Sequence, residues 1–532
     1  MHNKDIARQF NKLSKYYDIL GEERKAKSWS AMAFQIERMN ESLREMSVED
    51  YQNVRGIGKA GAQAIAEIVE EKWNLLEETI ELLPIGIQQL SIIRGIGAKK
   101  IGRLWRELNI NSPDELKAAC EANELIALKG FAKKTQENIL KKVNYFLTCK
   151  GQWLWANAEV ARNELEKFLN AEWPDIQIQA VGDFALQKEV VSELVLLVDK
   201  NIKEKLKEHS SCYLENDQWY YQGKKVSIIE CASHEFEDLV LKNTYATDLL
   251  AKANSQKAIA LKLPFYLRDN SEALDKHLAG ERLGEIQEAD IKGIVHNHSV
   301  WSDGVNTIKE MAEACMERNM EYLVMSDHSK TSFYAGGLSE MDILAQQEEI
   351  DALNEELAPF RIFKSIECDI LGDGSLDYDE DVLESFDLVI CSIHQNLDMT
   401  EDKAMMRLLT AVEHPFCSMI CHPTGRLLLN RQAYPVDHKL LIDTCVVNDV
   451  VLEINANPNR LDMDSEWFAY ALERGALFSI NPDAHAIEQI DYTRYGVRTA
   501  QRAMLPASRN LSSFTLSEFE EFLVEQHAKR GV

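Results

Sequence analysis

Between residues 290 and 500 the chain repeats one arrangement seven times. A strand-length apolar run ends in, or just before, a side chain able to bind a metal or a phosphate. Ile294-Val295 leads to His296-Asn297-His298, and Asp303 follows. Tyr322–Met325 leads to Ser326-Asp327-His328, Ile362–Ile366 to Glu367, Leu388–Ile393 to His394, and Cys417–Cys421 to His422. Val450–Leu452 leads to Glu453-Ile454-Asn455-Ala456-Asn457, and Leu477–Ile480 to Asn481-Pro482-Asp483-Ala484-His485. The runs recur about every 30 residues with helical stretches between them, which is the rhythm of repeated β–α units. Parallel strands end on the same side, so these side chains are expected to converge on one rim of a barrel, where barrel enzymes place their chemistry.

The residue types fit a metal site. On an extended segment His296 and His298 point the same way, because the side-chain period is two. Nine of the 13 histidines fall after residue 290, and six of these nine stand at strand ends. The other three, His414, His438 and His527, lie in helical or loop contexts. One strand-end histidine is more often a structural core residue. Six in the same topological place, with Asp and Glu interleaved, reverse that reading. Imidazole and carboxylate suit Zn²⁺ and Mn²⁺.

Residues 1–150 read differently. Ile6–Leu43 holds helix formers, no Pro and a single Gly, Gly21. Three glycine turns follow between apolar helices: Val54-Arg55-Gly56-Ile57-Gly58-Lys59, Ile93-Arg94-Gly95-Ile96-Gly97-Ala98 and Leu128-Lys129-Gly130-Phe131-Ala132-Lys133. Their regular spacing marks an internal repeat, and the segments resemble helix-hairpin-helix motifs. A Gly-x-Gly turn leaves backbone N–H groups and a helix N-terminus open at the bend, which suits phosphate oxygens. Contacts of that kind place a protein on a nucleic-acid backbone without reading bases. The DNA-contact candidates are Gly56, Gly58, Lys59, Gly95, Gly97, Lys99, Gly130 and Lys133, with Arg55, Arg94, Lys100 and Lys134 adding charge. Ala132 replaces the second glycine of the third copy, which puts that copy's phosphate contact in question.

The net charge of −28 argues against nucleic acid only until it is divided. Residues 1–150 carry 24 basic and 21 acidic residues, a net of +3, whereas the remaining 382 carry 35 and 66, a net of −31. No apolar run reaches the ~18 residues of a membrane helix. The polar N-terminus is unlike a secretory signal, and the ten cysteines lack any CxxC pair. These features point to a cytosolic protein with reduced thiols and no membrane partner.

Residues 151–289 read as mixed α/β, with a helix over Ala156–Leu169 and strands at Ile176–Val181, Glu193–Val198 and Lys225–Ile229. In order, the three regions resemble bacterial family X DNA polymerases. That family has a helix-hairpin-helix front, a nucleotidyltransferase palm and a C-terminal PHP (polymerase and histidinol phosphatase) domain. A family palm has a Gly-Ser turn with two arginines, an Asp-x-Asp strand and a third Asp on a later strand, which together hold two Mg²⁺ ions. Here Gly182 is kept. Asp183 replaces the serine, Ala185 and Leu186 replace the arginines, Glu193 and Val195 replace the Asp pair, and Ser227 replaces the third Asp. One carboxylate cannot hold two hard cations that each need several oxygens, so the middle is expected not to polymerise. The helix Ala60–Val69 after the first hairpin has no lysine, so lyase chemistry is not expected either.

The PHP resemblance extends over Leu371-Gly372-Asp373-Gly374-Ser375-Leu376-Asp377-Tyr378, His422-Pro423-Thr424-Gly425-Arg426-Leu427 and Glu453–Asp462. It implies a distorted (β/α)7 barrel with up to three divalent ions, Mn or Zn. One would take His296, His298, Glu367 and Asp483. A second would share Glu367 and add His394 and His422. A third would take Asp303, His328 and His485. Clustered divalent ions make a nucleophile from water near neutral pH and neutralise phosphate charge. Arg426 and Arg460 could fork phosphate oxygens as catalytic residues, or form salt bridges within the barrel. Asp327 and Glu453 could orient a histidine from outside the ligand set.

The expected architecture is therefore multidomain. It comprises a helix-hairpin-helix domain over 1–80, a fingers-like one over 81–150, a degenerate palm/thumb-like domain over 151–289 and a PHP domain over 290–532. The expected function is a metal-dependent DNA phosphoesterase, a 3′–5′ exonuclease acting in DNA repair, binding DNA without sequence preference. A small-molecule phosphatase of the histidinol-phosphate type and a non-catalytic DNA-binding scaffold stand as alternatives.

Overall fold

The computed structural model describes all residues except 1–2, 40, 45, 71, 94, 248, 252–256, 281–283 and 531–532, so Arg94 lies outside the described residues. The chain divides into two units, Met1–Lys150 and Gly151–Val532. No helix among the described residues is long and apolar enough to cross a membrane.

The first unit is all-helical. The run of helix formers over Ile6–Leu43 forms two helices, Asn3–Leu20 and Glu23–Glu37, parted at Gly21, the one glycine in it. Two apolar cores form. One gathers Ile6, Phe10, Leu13, Trp29, Ile36 and Ile65, and the other Leu90, Ile101, Leu104, Leu116, Ile139 and Val143. Each glycine turn feeds a helix: Lys59–Val69, Ala98–Leu108 and Lys133–Cys149. The first glycine of each turn is left-handed, with φ of +89° at Gly56, +78° at Gly95 and +91° at Gly130. The second position is ordinary extended backbone, with φ of −85° at Gly58, −65° at Gly97 and −69° at Ala132. The second glycine is therefore not demanded by the turn.

The second unit begins with seven strands: β1 (Trp153–Leu154), β2 (Ile178–Val181), β3 (Val190–Val191), β4 (Leu194–Val198), β5 (Cys212–Glu215), β6 (Gln218–Tyr221) and β7 (Lys224–Glu230). β1 pairs with β3, and the others form a mixed sheet in the order β2-β4-β7-β6-β5. The hairpin between β5 and β6 turns on Asn216 and Asp217, both at positive φ, which is the two-residue turn that matches strand twist. The helix Trp155–Glu172 packs Ala158, Ala161, Leu165 and Leu169 against Leu194, Leu196 and Val198 of β4.

Seven parallel strands follow in sequential order: β8 (Gly293–Ile294), β9 (Tyr322–Met325), β10 (Arg361–Asp369), β11 (Leu388–Ser392), β12 (Met419–Ile420), β13 (Val451–Asn455) and β14 (Phe478–Asn481). Just past β8 and β14 a parallel bridge joins Asn297 to Ala484, and the His298 N–H donates to the Ala484 carbonyl at 2.8 Å. That contact closes the sheet into a barrel and leaves no free edge among these strands. Strand alternation sorts the apolar residues into two cores. Val324, Phe363, Leu388, Ile390, Met419 and Val451 pack with Phe519, Phe522 and Leu523 of the C-terminal helix Leu516–Arg530. Ile366, Val389, Ile420, Leu452, Ile454 and Ile480 form the other core with the surrounding helices.

Candidate metal centre

The ligand candidates stand at or just past the C-terminal ends of all seven barrel strands. β10 and β13 carry Glu367 and Glu453 within the strand. The other candidates lie two to four residues beyond β8, β9, β11, β12 and β14, apart from Asp303 on the loop that follows. His296, His298, His328, Glu367, His422, Glu453 and Asp483 are all buried. His394 is nearly so, while Asp303 and His485 face the opening. The backbone turns left-handed at His422, with φ of +27°, and at Asp483, with φ of +52°. Non-glycine residues in that region carry local strain, which the surrounding barrel must hold in place.

The nine donors make one connected cluster. Glu367 Oε1 lies 2.8 Å from His422 Nε2, 3.2 Å from His394 Nε2 and 3.5 Å from His296 Nε2. Glu367 Oε2 faces His328 Nδ1 at 2.8 Å and His298 Nε2 at 3.6 Å. Asp483 Oδ1 is 3.3 Å from His298 Nε2, and Asp303 Oδ1 is 3.2 Å from His485 Nε2 and 3.5 Å from His328 Nε2. The His298 ring has the His328 and His485 rings alongside it, each with its centroid 4.3 Å away.

Several of these atoms are buried without a hydrogen-bond partner: His296 Nε2, both nitrogens of His298, Asp303 Oδ1, His328 Nδ1, Glu367 Oε2 and His422 Nδ1. Buried polar atoms are ordinarily paired, because an unpaired one keeps its full desolvation cost. Here nitrogens of imidazole and oxygens of carboxylate face one another across a few ångströms, and those named have no hydrogen-bond geometry to satisfy them. A divalent cation satisfies such a set, and His with Asp and Glu is the donor chemistry of Zn²⁺ and Mn²⁺. The residues therefore fit the divalent metal that the fold implies.

Electrostatics agree. Burial, with the His485 and His328 rings alongside, pushes the His298 pKa down to about 4, so its lone pair is free at neutral pH. Burial also disfavours charge on His296 and His394, but Glu453 and Glu367 beside the first, and Glu367 and Asp369 beside the second, raise both well above the ordinary value. Glu367 and Asp483 are held well below the carboxylate range despite burial, chiefly by His394 and His296 respectively.

The surrounding groups orient the ligands. Glu453 accepts from the His422 backbone N–H at 2.6 Å and from the side-chain amides of Asn455 and Asn481. Asp327 orients no histidine. It accepts from the Ser299 N–H and hydroxyl, the Ser302 hydroxyl and Gln346, and so pins the loop that carries Asp303. Asp369 escapes the sequence reading. It sits 3.1 Å from His394 Nδ1 and accepts from Ser332 Oγ at 2.6 Å. Its signal is period two: it follows Glu367 by two residues on β10 and shares its face.

The two arginines separate. Arg460 Nε lies 3.2 Å from Asp483 Oδ2, at the cluster. Arg426 does not bring a free fork to the cluster. Its guanidinium pairs with Asp464 at 2.6 Å and Glu189 at 2.8 Å, and donates to the carbonyls of Arg460 and Leu461. Glu189 lies beside β3, so Arg426 ties the mixed-sheet region of the second unit to the barrel. Arg494 repeats the tie through Glu159 at 2.7 Å, and Trp155 meets the Tyr495 ring edge-on.

In the middle domain Val195 pairs with Ser227 between β4 and β7, and Ser227 Oγ donates to Glu193 at 2.5 Å. The three substituted palm positions thus lie side by side, with Glu193 the one carboxylate among them. In the first unit, Gly58 and Gly97 have no atom within 4 Å of where a side chain would start, whereas Gly95 is crowded by Lys142. Lys59, Lys99 and Lys133 are exposed at the starts of their helices.

A closed seven-stranded parallel barrel with clustered His, Asp and Glu donors at its C-terminal rim defines a metal-dependent hydrolase of the PHP class. Residues 86–144 match the family model described as a SAM-like helix-hairpin-helix tandem. The DNA polymerase/3′-5′ exonuclease PolX of Bacillus subtilis is 32% identical over 98% of this chain and 99% of its own length. A probable phosphatase of Thermoanaerobacter sp. is 22% identical over 44% of this chain and 96% of its own. Among solved structures, the histidinol phosphate phosphatase of Lactococcus lactis aligns with 40% of this chain and 94% of its own, at 15% identity and a TM-score of 0.31. The chain belongs to the bacterial family X DNA polymerases that carry a C-terminal PHP domain.

Proposed function

We propose that this chain is a 3′–5′ exonuclease that hydrolyses DNA phosphodiesters at the barrel rim and acts in DNA repair. The reading rests above all on the unpaired donor cluster: nine convergent ligand candidates, most of them buried, with orphaned lone pairs. By this reading His296, His298, Glu367 and Asp483 hold one divalent ion, Glu367, His394 and His422 a second, and Asp303, His328 and His485 a third, with Mn²⁺ or Zn²⁺ as the metal. Bound there, such ions supply Lewis-acid activation and neutralise phosphate charge. The chain's own groups do the rest. Arg460 holds a phosphate oxygen beside Asp483, Glu453 and Asp369 keep His296 and His394 in their ligating tautomers, and Arg426 serves as a structural tie. The hairpins at Gly56, Gly58, Lys59, Gly95, Gly97, Lys99, Gly130 and Lys133 grip DNA phosphates without sequence preference. By this reading the domains divide near residues 80, 150 and 290, of which the division at 150 coincides with the boundary between the two compact units, and the protein works in the cytosol. The middle domain does not polymerise, since one carboxylate stands where three are needed.

The test is a gel assay with 5′-labelled single-stranded DNA alongside metal analysis of the purified protein. A ladder shortened from the 3′ end, lost on chelation, is the expected result. Turnover of histidinol phosphate with DNA left intact would overturn the reading in favour of a small-molecule phosphatase.

A further inference from the structure

The segment after His328 is held rigidly, yet it lifts two aromatic rings into solvent. Phe333–Ala335 forms a single 3-10 turn. Phe333 is 79% exposed and Tyr334 61%, with their ring centroids 5.9 Å apart. Burying rings of this size is worth several times thermal energy, and a mobile loop would fold them down.

The backbone on both sides of this turn is fastened to the barrel. The Lys330 N–H donates to the Tyr378 hydroxyl at 3.0 Å, and the Thr331 N–H to Asp377 at 2.7 Å. Gln395, next to His394, donates to the Thr331 carbonyl at 2.8 Å. Ser332 Oγ donates to Asp369, the carboxylate that faces His394. On the far side the Leu338 N–H returns to the His328 carbonyl at 2.9 Å. Gly336 is left-handed, with φ of +73°, and passes close to the Ser302 backbone beside Asp303. A side chain at Gly337 would run into the Ser329 carbonyl at 1.8 Å. The turn is thus bolted to three ligand-bearing segments, and Phe333 is within about 17 Å of His328 along the chain even fully extended.

Charge decides what such a platform can hold. Residues 151–532 carry a net charge of −31 and repel a phosphate backbone. The nearby cation Lys330 is committed to Glu340 at 2.7 Å. Away from Arg460 and the donor cluster itself, a strand crossing this acidic surface gains from a grip that does not depend on charge. Stacking on aromatic rings provides one, since every base has a π-face whatever its sequence.

We propose that Phe333 and Tyr334 are positioning residues that stack on the terminal bases of single-stranded DNA and hold its last phosphodiester at the donor cluster. This rests on the exonuclease reading given above and adds to it the two side chains that hold the bases.

The experiment uses the full chain with Phe333→Ala, Tyr334→Ala, the double substitution and the conservative Phe333→Tyr. Substrates are a short single-stranded oligonucleotide, the same strand ending in abasic nucleotides, and methyl p-nitrophenyl phosphate, which has no base. Each alanine is expected to raise KM on the ordinary strand about tenfold with kcat little changed, within the range that loss of a base–aromatic stack produces. Phe333→Tyr should retain wild-type KM. Metal content and turnover of the small ester should be unchanged. On the abasic strand the wild type should already show the raised KM, and the substitutions should add nothing. An unchanged KM in the double variant, or an equal loss on the abasic strand, would overturn the proposal. Wild-type protein that releases no nucleotide from any strand would instead defeat the exonuclease reading. Anisotropy of the labelled strand would then judge the rings alone, and equal affinity in wild type and double variant would reject them too.

Discussion

Glu453 Oε1 lies 2.6 Å from Nδ1 of His296, and both side chains are sealed from solvent. With Nδ1 committed to Glu453, Nε2 is the nitrogen of His296 that faces Glu367 and Asp483, where it has no hydrogen-bond partner. Glu453 therefore decides which nitrogen of His296 is the ligand. Replacing it with Ala should lower metal affinity or activity by about 10–100-fold, the usual cost of losing such a partner. Glu453→Gln should cost less, because an amide oxygen still accepts from Nδ1. Metal titration of the two variants checks the order.

The ligands themselves should matter more. His296→Ala with His298→Ala removes two buried donors from the same strand end, and metal content and phosphodiester hydrolysis should fall together. Wild-type activity with unchanged metal content would reject the assignment.

Metal loading should release protons. In the metal-free protein the His485 pKa stands at about 9: burial lowers it, but Asp303 more than offsets that. His296 and His394 are also raised well above the ordinary value. All three rings hold protons at pH 7 and must lose them to ligate. Calorimetric titration of apo-protein in buffers of different ionisation enthalpy should show this release, and affinity should fall as pH is lowered. The sign for stability without metal is opposite. A histidine raised from 6.5 to about 9 stabilises the fold fully below its unfolded pKa, and the contribution is lost as pH rises through about 9.

Gly58→Ala and Gly97→Ala should separate binding from folding. Both backbones have negative φ and open space where the methyl would go. The substitutions should leave Tm unchanged or raise stability by about 0.4–1 kcal/mol through the unfolded state. They should nevertheless weaken DNA binding, by blocking close approach of a phosphate to the backbone donors. Gly56→Ala, at φ of +89°, should destabilise the protein instead. Thermal melts and salt-dependent DNA titrations check both halves.

The sequence by itself determined the architecture and most of the donor cluster. Apolar runs at a steady interval require strands, their rhythm requires parallel order, and parallel order brings His296 and Asp483 together from opposite ends of the domain. The family resemblance also grouped Glu193, Val195 and Ser227, which the pairing of β4 with β7 brings side by side. Only the tertiary structure decided what each charged group around the cluster does. Arg426 and Arg460 look alike in sequence, both just past ligand-bearing strands. The first is spent on Glu189 beside β3 and the second reaches Asp483. Asp327 and Glu453 look alike too, yet one pins a loop and the other aims a histidine. The plugging of the barrel by Phe519, Phe522 and Leu523 was equally invisible. Periodicity is a local property, which a chain announces residue by residue. The partner of a long polar side chain is chosen by whatever the fold brings within 3 Å of its end, and that is known only once the distant segments have packed.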